Sequence, residues 1–201
     1  MAKAKSYWSK WYKKNRERFK AVVNEHKKAR RKQFQEIIDG YKQSPCVVCG
    51  EVFHPAAMEF IHKDDNDKAF RISDATRLIY SVDKLVKEIE KCFLQCACCS
   101  RIVQFEKYLK DKNKNKRKNR RRIKLRFLVD GIKSQPCADC GRVLPPYCLD
   151  LDHLGNEEKV DSVSKMLNNE LSLDRIMKEV DKTEPVCINC HRARTQNRKK
   201  D

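Results

Sequence analysis

The chain aligns with itself at an offset of 91 residues, and this duplication restricts the fold to two copies of one small unit. The shift places Cys46 on Cys137, Cys49 on Cys140, His62 on His153, Cys96 on Cys187 and Cys99 on Cys190. From 31 to 101 against 122 to 192 the match needs no gap and holds 21 identities in 71 pairs. Self-similarity at a fixed period marks a repeated structural unit. The copies part company where polar side chains carry chemistry: Asp152 and His191 of the second face Ile61 and Ser100 of the first.

Units of roughly 70 to 80 residues bury little surface and depend on staples. Each copy carries two C-x-x-C pairs, the spacing of a closed thiolate site for zinc. The pattern predicts one structural Zn²⁺ on Cys46, Cys49, Cys96 and Cys99 and a second on Cys137, Cys140, Cys187 and Cys190. Cys92, Cys98 and Cys148 align with Thr183, Asn189 and Ala57 and stand outside this framework. An odd total of 11 cysteines, knuckle spacing and no signal peptide favour zinc over disulfides and predict an intracellular, thiol-reducing compartment.

The net charge of +18 is concentrated in two stretches. Residues 1–42 hold 14 Lys or Arg against four Asp or Glu, and residues 107–126 hold 12 against one. Localised positive charge is the footprint of a polyanion binder. Tyr7, Trp8, Trp11, Tyr12 and Phe19, interleaved with the N-terminal cations, favour nucleic acid over a solubilising tail, although the same aromatics also suit the packed face of an amphipathic helix. No apolar run reaches the length of a membrane span, so a membrane role is not expected.

The pattern predicts an α+β fold of two small zinc-stabilised modules, preceded and joined by basic helical arms. A basic helix is expected over 5–38, with a counterpart over 102–129, each stopped by Asp-Gly at 39–40 or 130–131. The first knuckle of each copy should begin an extended region with Pro turns, where a hairpin is plausible. Leu149-Asp150-Leu151-Asp152-His153 alternates as a half-buried strand, with both acids on one face and His153 at its end. Helices follow at Ser81–Lys91 and Ser172–Lys182, each with Ser at the cap and apolar residues at 82, 85, 86 and 89 or 173, 176, 177 and 180. The segments are therefore an arm over 1–42, a module over 43–105, a basic linker over 106–131 and a second module with a basic tail over 132–201.

Two knuckles bracketing Asp152-His153, with Cys190-His191-Arg192 at the second knuckle, resemble the HNH endonucleases, whose ββα-metal core in phage and homing enzymes is often framed by zinc knuckles. The resemblance covers 137–192 well and 46–101 in degenerate form. It implies that His153 is the general base and that Asp152 and His191 hold one catalytic divalent cation, Mg²⁺ or else Mn²⁺ or Ni²⁺. Arg192 and Lys159 become candidates for phosphate contact, together with Lys116, Arg117, Lys118, Arg120, Arg121 and Arg122 of the linker. The sequence departs from the family at the Asn that usually braces the base, where Lys182 stands; Asn156, Asn168, Asn169 and Asn189 are the nearby substitutes.

The expectation is a metal-dependent DNA endonuclease, acting as a nickase, with an active second and an inactive first module. The chain would be a monomer with an internal pseudo-dimer, or a homodimer, acting on double-stranded DNA, with RNA as a possible substrate. A phage or viral origin would place it in the host cytoplasm. The competing reading is a non-catalytic zinc protein that binds nucleic acid, such as a structural component of a ribonucleoprotein particle.

Overall fold

The computed structural model describes residues 2–77, 80–110, 120–155 and 158–198, with side chains from Trp8 onward. Lys116, Arg117, Lys118 and Asn156 lie outside the described residues. The protein is α+β: α1 (Ala2–Tyr41), β1 (Met58–His62), α2 (Val82–Glu90), β2 (Cys92–Cys96), α3 (Ala97–Lys110), α4 (Arg120–Ile132), β3 (Leu149–His153), α5 (Val163–Asn168), α6 (Leu173–Val180), β4 (Thr183–Cys187) and α7 (Ile188–Asn197). Each repeat contributes one two-stranded sheet.

Local sequence explains most of these boundaries. Ser81 caps α2 through its hydroxyl, which accepts the Lys84 N–H at 3.3 Å. Ser172 sits at the same position of α6 but makes no capping hydrogen bond. The Asp-Gly stops are corrected by the structure: Gly40 and Gly131 lie inside the last turns of α1 and α4, which run on to Tyr41 and Ile132. Gly50 and Gly141 do need the left-handed region, at φ 71° and 68° just after the first cysteine pairs. There Gly50 N–H donates to Cys46 O at 2.8 Å and Gly141 N–H to Cys137 O at 2.9 Å, which closes each knuckle.

The described residues of 102–129 do not form a copy of α1. Cys99 and Cys190 lie in the first turns of α3 and α7, so each of these helices grows directly out of a knuckle, and α4 starts separately at Arg120. The hairpin suggested after the first knuckle is also replaced. Pro146–Cys148 forms a single 3-10 turn, and β3 pairs antiparallel with β4, from Leu149 opposite Cys187 to His153 opposite Thr183. The connection between them carries α5 and α6.

Contacts group the chain into two compact units, Met1–Tyr41 with His62–Phe93, and Lys42–Ile61 with Leu94–Asp201. In the first, Phe34, Ile38, Ile72, Ala75, Leu85 and Ile89 are buried. At the 91-residue offset these are Leu125, Val129, Val163, Met166, Ile176 and Val180, which form one apolar cluster of the second unit. The sequence therefore builds the same small core twice.

The second unit contains both knuckle frames, and they share a core. Cys46, Met58, Leu94 and Cys96 of the first repeat pack in one cluster with Cys137, Cys148, Leu149, Val186 and Ile188 of the second. The contacts are reciprocal, as a two-fold relation requires. Arg101 pairs with Asp150 at 2.8 Å, and its counterpart Arg192 pairs with Glu59, the counterpart of Asp150. Equivalent positions also meet each other: Arg142 pairs with Glu51, and Cys98 N–H donates to Asn189 Oδ1 at 3.1 Å. Within the second unit the two knuckle frames thus meet through counterpart residues. A protease site placed within 111–119 should, after cleavage, leave two fragments that co-elute in native gel filtration and separate only in denaturant; separate native peaks would contradict the shared core.

Candidate functional site

The four thiols of each repeat converge. The ligand atoms of Cys46, Cys49, Cys96 and Cys99 lie within 4.8 Å of one another, as do those of Cys137, Cys140, Cys187 and Cys190. Tetrahedral zinc with ~2.3 Å bonds to sulfur sets its ligands about 3.8 Å apart; Cys140 and Cys187 stand at 3.9 Å. Backbone donors complete the frames: Cys96 N–H donates to Cys46 Sγ and Cys187 N–H to Cys137 Sγ, each at 3.2 Å. Burial pushes the Cys46 and Cys137 thiols up, but N–H donors outweigh it and bring both down to about 7. Burial and the neighbouring sulfurs push Cys99 and Cys190 upward, the repulsion that a bound dication cancels. None of the 11 cysteines is in a disulfide.

These frames can hold two zinc ions, and binding must compete with protons. Metal analysis should give two Zn²⁺ per chain. Cys137→Ser should bring that to one and destabilise the protein by several kcal/mol, read as loss of near-ultraviolet circular dichroism at lower denaturant. Zinc release should occur as pH falls, never as it rises.

Next to the second frame, β3, α7 and the loop ahead of α5 enclose a cavity of about 250 Å³, lined by Asp150, Asp152, His153, Lys159 and His191, with Lys133 at its edge. The three residues expected to carry chemistry thus share one cleft with Lys159. Arg192 is elsewhere, engaged by Glu59. Arg122 is held at Asn168 Oδ1, Arg120 is exposed at the start of α4, and Arg121 follows it.

Residues that the sequence reading passed over hold the geometry. His153 Nε2 lies 2.8 Å from Glu179 Oε1, and Glu179 is 2% exposed. A carboxylate only accepts, so Nε2 carries the proton and Nδ1 is left to take one. Glu179 also accepts Val160 N–H at 3.0 Å and pairs with Lys182 at 3.2 Å. Lys182, where an Asn brace was expected, therefore pairs with the carboxylate that holds the His153 ring. Neither Asn168, Asn169 nor Asn189 does: Asn168 takes Arg126, Asn169 caps α5 and Asn189 takes Cys98 N–H. The missed signal was an identity of the repeat, since Glu88 and Lys91 hold His62 in the same way, at 3.0 Å from His62 to Glu88.

The second overlooked group is Asp150. Its carboxylate accepts His191 Nδ1–H at 2.9 Å and Arg101 at 2.8 Å, which turns His191 Nε2 toward Asp152 Oδ1 at 3.6 Å. Burial would raise the Asp150 carboxyl, yet His191 and Arg101 hold it at about 2. Asp152 is 5% exposed and takes Arg198 at 2.9 Å and Arg194 at 3.1 Å. Burial opposes these arginines, and they still keep its carboxyl below the usual range.

No protein-family model, curated protein or solved structure matches the chain.

Burial also raises the Glu179 carboxyl, and His153, Lys182 and two N–H donors more than offset it, so it sits below its ordinary value of 4.5. A depressed carboxylate stabilises the fold above its unfolded value, and that stability is lost as pH falls through the folded one. Urea midpoints in excess zinc should therefore drop as pH falls below about 4.5. Glu179→Gln should flatten that part of the difference from wild type, and Glu179→Ala should cost about 3 kcal/mol at neutral pH.

Proposed function

We propose that the second repeat is the catalytic half of a metal-dependent endonuclease of HNH type, and that the first repeat is an inactive partner within the same chain. The observation that carries this reading is the meeting of Asp152, His153, His191 and Lys159 in one cleft. Hydrolysis of a phosphodiester needs a base for water, a cation for the developing charge and a positive group for the phosphate. His153, aligned by Glu179, serves as the base through Nδ1. Asp150 fixes the tautomer of His191 as second-sphere carboxylates do at metal sites, and closing the 3.6 Å between His191 Nε2 and Asp152 Oδ1 to about 3 Å, with Arg194 and Arg198 released from Asp152, would make the two adjacent ligands of a cation with bonds of about 2.1 Å. Mg²⁺ or Mn²⁺ fits this mixed pair, and Lys159 supplies charge for the phosphate. The strand–strand–helix frame of β3, β4 and α7 supports the same reading.

In the first repeat Ile61 and Ser100 stand for Asp152 and His191, so His62 has its Glu88 but no cation pair. One working site cuts one strand per engagement, and double-stranded DNA nicked once is the expected product. Basic α1 and α4 enlarge the electrostatic footprint, and the thiolate frames suit a reducing compartment.

A second reading, a non-catalytic nucleic-acid-binding protein, is favoured by one observation: the His–Glu–Lys network of the second repeat recurs in the repeat that lacks the cation pair. Plasmid relaxation by zinc-loaded protein with Mg²⁺ or Mn²⁺ separates the two. Wild type and His62→Ala should nick, while His153→Ala and His191→Ala should lose at least about a hundredfold in rate. Intact plasmid in every lane, with tight salt-sensitive binding, would establish the second reading.

A further inference from the structure

Between α3 and α4 an open groove of about 870 Å³ runs beside the cleft, and it shares Lys133, Ser164 and Leu167 with the cleft's lining. Its floor is aromatic. Phe105 stacks on Tyr147 at 4.1 Å between centroids with planes 16° apart, and Tyr108 lies next to Phe105 along α3. The opposite wall is α4, whose rows Arg122 and Arg126, and Ile123 and Phe127, lie one turn apart on the groove side. Phe127 is 77% exposed, which leaves a large ring standing in water with its face available.

Resting on the nuclease reading, we infer that this groove takes unpaired nucleotides of the strand whose phosphodiester enters the cleft. Aromatic faces flanked by arginines are the chemistry of single-strand binding, because every base offers a face to stack on and the cations follow the phosphates. In a duplex those faces are covered by neighbouring bases, so a recessed platform serves only an unpaired one. The aromatic lining is built from both repeats, Phe105 and Tyr108 on α3 after the first knuckle frame and Phe127 and Tyr147 in the second, and none of Phe105, Phe127 and Tyr147 is aromatic at the 91-residue offset, where Gln196, Glu36 and Ala56 stand. The platform thus borders the cleft of Asp152 and His191, and the positions that correspond to its aromatics carry no ring. Duplex regions are left to the basic face of α4, and cutting falls near the junction of paired and unpaired DNA.

The test is fluorescence anisotropy with full-length, zinc-loaded His153→Ala protein in the absence of Mg²⁺, using labelled dT12, U12, a blunt 12-base-pair duplex and the same duplex with a six-nucleotide overhang. The overhang substrate should bind more tightly than the blunt duplex, and the better of dT12 and U12 identifies the strand. Phe127→Ala should weaken the overhang and single-strand complexes about fivefold to a hundredfold, leave the blunt duplex within twofold, and leave thermal unfolding unchanged; Phe127→Trp should restore binding. Equal affinity for blunt and overhang substrates, or no loss in Phe127→Ala, overturns the inference. Nicking of plasmid alongside such a result leaves the nuclease standing without the groove, and Phe127-dependent binding without nicking leaves the groove standing without the nuclease.

Discussion

Four sulfurs held within 4.8 Å repel one another as thiolates, and the rest of the second unit depends on what resolves that repulsion. A dication at each frame would fix the knuckle turn, the end of a strand and the first turn of a helix at one point. Cys187 ends β4 and Cys190 lies on the first turn of α7, so the frame sets where His191 stands relative to β3. Without the frame, a two-stranded sheet and a short helix have too little core to hold a cleft.

The frames are also too small to stand alone, and the duplication supplies the missing surface. Apolar residues of both repeats meet in one cluster, sealed by reciprocal ion pairs between counterpart positions. Arg101 shows how closely the repeats depend on each other. It belongs to the first repeat yet binds Asp150, the residue that orients His191 in the second. The first repeat thus has a positional role in the proposed site.

Much of this was legible in the chain. The offset of 91 residues, the eight cysteines of the two thiolate frames, the α+β class, the strand at 149–153 and the capped helix after Ser81 all follow from local spacing and pattern. The supports of the site were less legible. Glu179 reads as a surface residue of a helix, and only packing shows that it lies buried under His153. Asp150 was placed on the face of Asp152, but its grip on His191 and Arg101 joins residues 41 and 49 positions away. The group that reaches the His153 ring is a carboxylate on α6, Glu179, which no search among the neighbouring Asn residues could find.

The sequence by itself determined which groups exist twice and which exist once, since substitution at a repeated position is visible without coordinates. Two thiolate frames, an Asp and a His that occur in one copy alone, and the localisation of positive charge are all readable there. Only the tertiary structure decided that both frames share one core, that Arg192 is bound to Glu59 instead of facing the cleft, and that an aromatic groove borders the site. The physical reason is range. Ligand spacing and helix periodicity act over a few residues, whereas burial, ion pairing and groove walls depend on which distant segments the closed fold brings together.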